Sequence, residues 1–166
     1  MQHPLPHFGE INREQLEEYY SITTTAGINL DLNFEHTRID ADNAAMLAEW
    51  LRDIDQLDVK NKAALQQDFE TSEGETQKYF RFYIEELPEE QLADLVGEAE
   101  TDEEKAAILL SKLQLCRVGF YPDGKYGTTS YAVFDYTIYI DGEPEDQLLV
   151  VNRDAQRELI DITWES

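Results

Sequence analysis

SYAVFDYTIYI, residues 130–140, is the stretch on which the reading of the fold turns. Ala132, Phe134, Tyr136, Ile138 and Ile140 fall on one side of an extended chain, and Tyr131, Val133, Asp135, Thr137 and Tyr139 on the other. That period of two is what a half-buried strand requires. On its N-terminal side Val118 and Phe120 lead into Pro122-Asp123-Gly124, a turn signal with a mechanism in each residue. On its C-terminal side Asp141-Gly142 turns the chain again. Leu148 to Val151 is apolar on both faces, which places it centrally, and Asp154-Ala155-Gln156 marks a further turn. Ile160, Ile162 and Trp164 then alternate with Asp161, Thr163 and Glu165. Residues 115–166 thus read as a four-stranded antiparallel meander.

Upstream the period lengthens to that of a helix. Asp40 or Asp42 caps a segment whose Leu47, Trp50, Leu51, Ile54 and Leu57 form one stripe. A second helix is expected over 59–69. Ser72 and Glu75 form a capping box for a third, with Tyr79, Phe80, Tyr83, Ile84 and Leu87 on its apolar side. Pro88 restarts a short helix that Gly97 ends, and Thr101 to Glu104 caps a last one carrying Ala106, Leu109, Leu110 and Leu113. Further upstream, residues 21–34 read as a hairpin about Ala26-Gly27, with Ile28, Leu30, Leu32 and Phe34 alternating against polar neighbours. A short helix is expected from Asn12 to about Tyr19, and residues 1–8, with Pro4 and Pro6, as a loose extended start. The expectation is a single α+β domain over residues 1–166. Its antiparallel sheet combines the C-terminal meander and the N-terminal hairpin, packed by four to five helices on one face.

The chain has 166 residues, 42% of them apolar, enough for one core without staples. Its charge is the anomaly. Thirteen basic residues face thirty-six acidic ones, a net −23, spread as −8, −9 and −6 over residues 1–60, 61–115 and 116–166. Direct contact with nucleic-acid phosphates or anionic lipid is disfavoured, because both need cations, whereas a basic protein is attracted. The one cysteine, Cys116, excludes a disulfide within the chain. No basic residue precedes an apolar run in residues 1–10, and no segment approaches the ~20 apolar residues of a membrane span. A reducing, cytoplasmic setting is expected.

Motifs with a reaction attached are scarce. The eight glycines form no phosphate loop, and no Cys/His spacing suits zinc. His36 and Cys116 lack a nucleophile signature, and Cys116 is expected as a small buried residue. Asp53, Asp55 and Asp58 lack the glycine and terminal glutamate of a calcium loop. The sequence therefore assigns no catalytic residue, metal or cofactor. Two features point to binding. Glu85, Glu86, Glu89, Glu90, Asp94, Glu98, Glu100, Asp102, Glu103 and Glu104 occur with no lysine or arginine between them. Those in first helical turns are favoured by the helix dipole; Glu98 and Glu100 are not. On the sheet, Tyr131, Asp135 and Tyr139 share the odd face of the long strand, expected to face solvent as a tyrosine-rimmed contact surface.

Six segments resemble an uncharacterised bacterial domain family: His7-Phe8-Gly9, Leu16 to Tyr20, Leu30 to Phe34, Phe134 to Thr137, Asp146 to Val151 and Ile162 to Ser166. The resemblance implies a bacterial cytoplasmic origin and a helix-plus-sheet fold, and it transfers no catalytic residue. The expected function is a non-catalytic acidic protein-binding domain. It is immunity-like toward a basic toxin, or a DNA mimic whose carboxylates stand in for phosphates. The alternatives are a hydrolase-type enzyme using Asp31 or Asp135 as acid or base, and a structural subunit pairing through a sheet edge.

Overall fold

A computed structural model describes residues 1–166. The C-terminal meander is present: β5 (Gln114–Phe120), β6 (Ala132–Thr137), β9 (Leu148–Arg153) and β10 (Leu159–Glu165) run antiparallel, each beside the next. The N-terminal hairpin, β3 (Tyr19–Thr23) and β4 (Asn29–Asn33), joins it, and the six strands lie in the order β10-β9-β6-β5-β4-β3. The sheet is not wholly antiparallel, because β4 pairs with β5 in parallel from Asn29↔Arg117 to Leu32↔Phe120. The chain leaves β4 and returns to β5 only after the whole helical segment, and such a crossover brings it back in the same direction.

Alternation on β6 holds where the ladder holds. Ala132, Phe134 and Tyr136 are fully buried beside Leu30, Leu32, Val118, Phe120, Leu149 and Val151 from the neighbouring strands. The strand is shorter than its pattern, however. The Thr137 hydroxyl lies within hydrogen-bond reach of the Glu145 and Gln147 carbonyls (3.0 and 2.9 Å), and the Glu145 N–H donates to the Ile138 carbonyl. These contacts draw the chain out of the ladder. Tyr139–Ile140 (β7) then pairs with Glu143–Pro144 (β8) in a separate ribbon, across a turn with positive φ at both Asp141 and Gly142.

Five helices cover the apolar face. Asp40 caps α1 (Ala41–Arg52), its carboxylate accepting the Asn43 N–H at 2.8 Å. Only Asp53 separates α1 from α2 (Ile54–Phe69), so Ile54 and Leu57 open the second helix instead of closing the first. Asp53 leaves helical geometry at ψ 13°, and its carboxylate is held by Arg157 at 2.9 Å. The first turn of α3 (Glu75–Glu86) is served from α2 and not by Ser72: Asp68 Oδ2 accepts the Thr76 N–H at 2.9 Å. Gly74 permits this, because a Cβ there would stand 2.6 Å from the Asp68 carbonyl. Pro88 is the cap of α4 (Glu89–Val96), and Thr101 caps α5 (Asp102–Ser111) by accepting the Glu104 N–H. Between α1 and the sheet, Trp50 stacks on Tyr131 at 4.9 Å and meets Phe120 edge-on, and Arg157 lies 5.0 Å from its ring centre.

Residues 1–19 depart most from expectation. Instead of a loose start and a helix, β1 (Gln2–Leu5) pairs with β2 (Gly9–Asn12), and Leu5 and Ile11 enter the core. Asn12 accepts the Glu14 N–H in a turn and caps no helix. No helix of the structure is long and apolar enough to cross a membrane.

Phe134→Ala removes a fully buried ring from the centre of the sheet and is expected to cost about 3–5 kcal/mol in urea unfolding. Asp40→Ala removes only a cap and is expected to cost about 1 kcal/mol. Equal costs would contradict this placement.

Candidate functional site

The ten carboxylates of residues 85–104 gather at one end of the helical layer. Glu85 and Glu86 end α3; Glu89, Glu90 and Asp94 lie on α4; Glu98 and Glu100 lie in the connection; Asp102, Glu103 and Glu104 open α5. Leu92 and Val96 are buried and hold α4 to the body, which leaves its acidic side outward. All ten residues are exposed, and none forms an ion pair. Glu89, Glu90, Asp102, Glu103 and Glu104 gain from helix N-termini, and Glu104 also accepts the Glu100 N–H at 3.2 Å. Glu85 and Glu86 sit at a helix C-terminus, where the dipole opposes a negative charge, and α3 has no basic residue in that turn. Local stability does not account for them. A groove of about 210 Å³ runs here between α3 and α5, with Arg81, Glu85, Asp102 and Glu103 along its sides.

The other face of the sheet carries no helix, and the three odd-face residues of 130–140 do not meet there. Tyr131 lies one residue outside the ladder, where alternation no longer applies, and turns into the core against Trp50. Tyr139 has left with the β7–β8 ribbon. Asp135 does point to this face, yet it is only 5% exposed. Burial pushes its pKa up, against the lowering pull of Arg117. The expected solvent-facing surface is therefore a buried ionic cluster.

Register builds that cluster. Arg117 on β5 stands opposite Asp135 on β6, and the parallel pairing sets Asp31 of β4 opposite Gly119. The Arg117 guanidinium donates from Nε and Nη2 to the two oxygens of Asp31 (2.7 and 2.9 Å), from Nη1 to Asp135 (3.2 Å) and from Nη2 to the Tyr121 hydroxyl (3.2 Å). Asn33 donates to Asp31 at 2.7 Å. A Cβ at Gly119 would fall 2.3 Å from Arg117 Nη2, so glycine clears the space in which the guanidinium lies. Burial lowers the Arg117 pKa, but its bonds to Asp31 and Tyr121 and the two carboxylate charges hold it above the ordinary arginine value. Beside the cluster lies a groove of about 440 Å³, bounded by Tyr121 and Tyr126 at one end and by Val150, Asn152 and Glu165 at the other.

The remaining candidates stay apart. Cys116 is half-buried, and burial, then Asp135, pushes its thiol up to about 11, so it stays protonated at neutral pH. Asp53 and Asp58 are engaged by Arg157 and by Lys62 and Tyr136, and no group of three or more His, Cys, Asp or Glu side chains is arranged to hold a metal ion. Comparison of the chain with protein-family models, curated proteins and solved structures finds no match.

Arg117→Met leaves two buried carboxylates without their cation. The expected cost at neutral pH is about 2–3 kcal/mol, below that of a fully enclosed pair because a third of the arginine side chain meets water. Asp135, already raised and now further raised, binds its proton in the folded variant before the unfolded chain does. The deficit should therefore shrink as pH falls from about 7 to about 5. A deficit that grows with acidity would remove the cluster from the account.

Proposed function

We propose that this chain is a non-catalytic acidic domain that docks a basic protein partner through the α3–α4–α5 end. The observation that carries the reading is that ten neighbouring carboxylates are exposed and none is paired with a cation. Such a surface attracts cations over roughly a Debye length, about 10 Å at 0.1 M salt, and it disfavours nucleic-acid phosphates and anionic lipid for the same reason. A basic toxin held by an immunity-like domain, or a basic DNA-binding protein held by a DNA mimic, fits this chemistry. The single cysteine agrees with a reducing cytoplasm, and the reading needs no cofactor.

A carboxylate-based hydrolase is the second reading, favoured by one observation: Asp135 is buried, with a raised pKa, beside a groove. It ranks below docking because both oxygens of Asp31 are committed to Arg117, and the Ser130 hydroxyl pairs with the Asn152 amide oxygen and not with a base.

The test is capture of a basic partner from the native cell, followed by association kinetics with the purified pair. Association is expected to slow at least ~10-fold between about 50 and 500 mM salt. It should slow similarly at low salt when Glu85, Glu86, Glu89, Glu90 and Asp94 are changed together to their amides. An association rate indifferent to both salt and these substitutions would sink electrostatic docking at this end.

A further inference from the structure

Two strands close the ends of the six-stranded sheet, and they are finished differently. The β10 edge carries Asp161 and Glu165, and its register breaks between Leu159 and Asp161, devices that discourage a further strand. β3 has none of them. Tyr19-Tyr20-Ser21-Ile22-Thr23 holds no charged residue, no proline and no bulge, in a chain 30% charged. The hairpin fixes which backbone groups it leaves open. At its two ends the Phe34 N–H donates to the Glu18 carbonyl and the Thr24 N–H to the Ile28 carbonyl, at 3.0 and 2.8 Å. Every second residue between them, Tyr20 and Ile22, therefore bonds toward β4, and Tyr19, Ser21 and Thr23 turn their N–H and C=O groups outward. No other part of the chain takes those groups up. The side chains of the same three residues are exposed, Tyr19 by 55%, while Tyr20 and Ile22 are only half-covered on the helical face.

We propose that β3 pairs antiparallel with β3 of a second copy of this chain, about a two-fold axis at Ser21. This register sets Tyr19 opposite the partner's Thr23 and Ser21 opposite the partner's Ser21. Each such pair exchanges two hydrogen bonds, so every outward group of the strand is used. Tyr20 then lies beside the partner's Ile22, an aromatic and β-branched pair, on the face where both are half-covered. Charge argues for a copy over a basic segment. Two bodies of −23 repel, so they can meet only where carboxylates are absent or offset, and a basic segment finds no anion on this strand. The nearest acids fall clear of one another. Glu18 comes opposite the partner's Thr24 and Glu17 opposite the partner's Thr25, and Glu18 is already held by Lys125 at 2.7 Å. The acidic helical end stays free, because α3 packs over β9 and β10 at the far edge of the sheet.

The experiment is sedimentation of the whole chain from about 5 to about 500 μM, at about 50 and about 500 mM salt, with hydrogen exchange read amide by amide. The expected result is a monomer–dimer equilibrium that tightens as salt screens the repulsion, the opposite of the salt response of docking. Exchange at Tyr19, Ser21 and Thr23 should slow as concentration rises, and exchange along β10 should not. Ser21→Lys, an exposed change, sets two like charges against each other at the axis and should weaken the dimer at least ~10-fold, although it makes each copy less negative. Ile160→Lys on β10 should leave the dimer unchanged. The proposal is overturned by a monomer at the highest concentration and salt, by an undiminished dimer in Ser21→Lys, or by loss of the dimer in Ile160→Lys. It is also overturned by β3 amides protected only when a basic protein is bound, which would give the edge to that protein. Docking at the helical end is read with a second protein present and stands or falls apart from these outcomes.

Discussion

A single guanidinium ties the sheet together at its one parallel seam. Arg117 stands on β5 and reaches both ways, doubly to Asp31 on β4 and singly to Asp135 on β6. The seam needs such a tie, since β4 and β5 are joined by no turn and parallel pairs are slightly weaker per residue than antiparallel ones. Buried charges of this kind add little net stability compared with apolar packing, but leaving one unpaired is costly. We read the cluster accordingly as a device of register. Sliding β4 by one residue moves Asp31 to the helical face, away from the only cation placed to receive it.

What could be read from the residues follows from how local each determinant is. The meander was legible because alternation and turn chemistry act within a few residues: Asp141-Gly142 turns where it should, and Phe134 and Tyr136 are buried where they should be. The helices were legible from their stripes, although the α1–α2 boundary moved because Asp53 is fixed by Arg157, a hundred residues downstream. The first nineteen residues misread for a similar reason. Asn12 is as good a turn former as a helix cap, and the burial of Leu5 and Ile11 in the core decides between them.

The candidate sites divide along the same line. Exposure of the acidic run could be anticipated, since carboxylates without partners stay in water. The ionic cluster could not, because Arg117 has no meaning until the parallel register sets it between two aspartates. The signals were present in weak form: Asp31 and Asp135, each in mid-strand, and a glycine at 119 that no turn explains. Tyr131 shows the converse failure. Its parity predicted water, but it lies just past the end of the ladder and its ring found Trp50.

The seam also sets an order of events. During synthesis the β3–β4 hairpin emerges early, but the flank of β4 that will meet β5 stays empty while residues 34–113 are added. The meander, by contrast, closes between near neighbours in the chain. Loop-closure entropy makes the distant pairing the slow one, so the ribosome-bound chain carries an unsatisfied strand edge until its final third appears. The polar residues that alternate along that strand, Asn29, Asp31 and Asn33, then act as temporary protection, keeping one side hydrated and poorly suited to adhesion until the proper neighbour arrives.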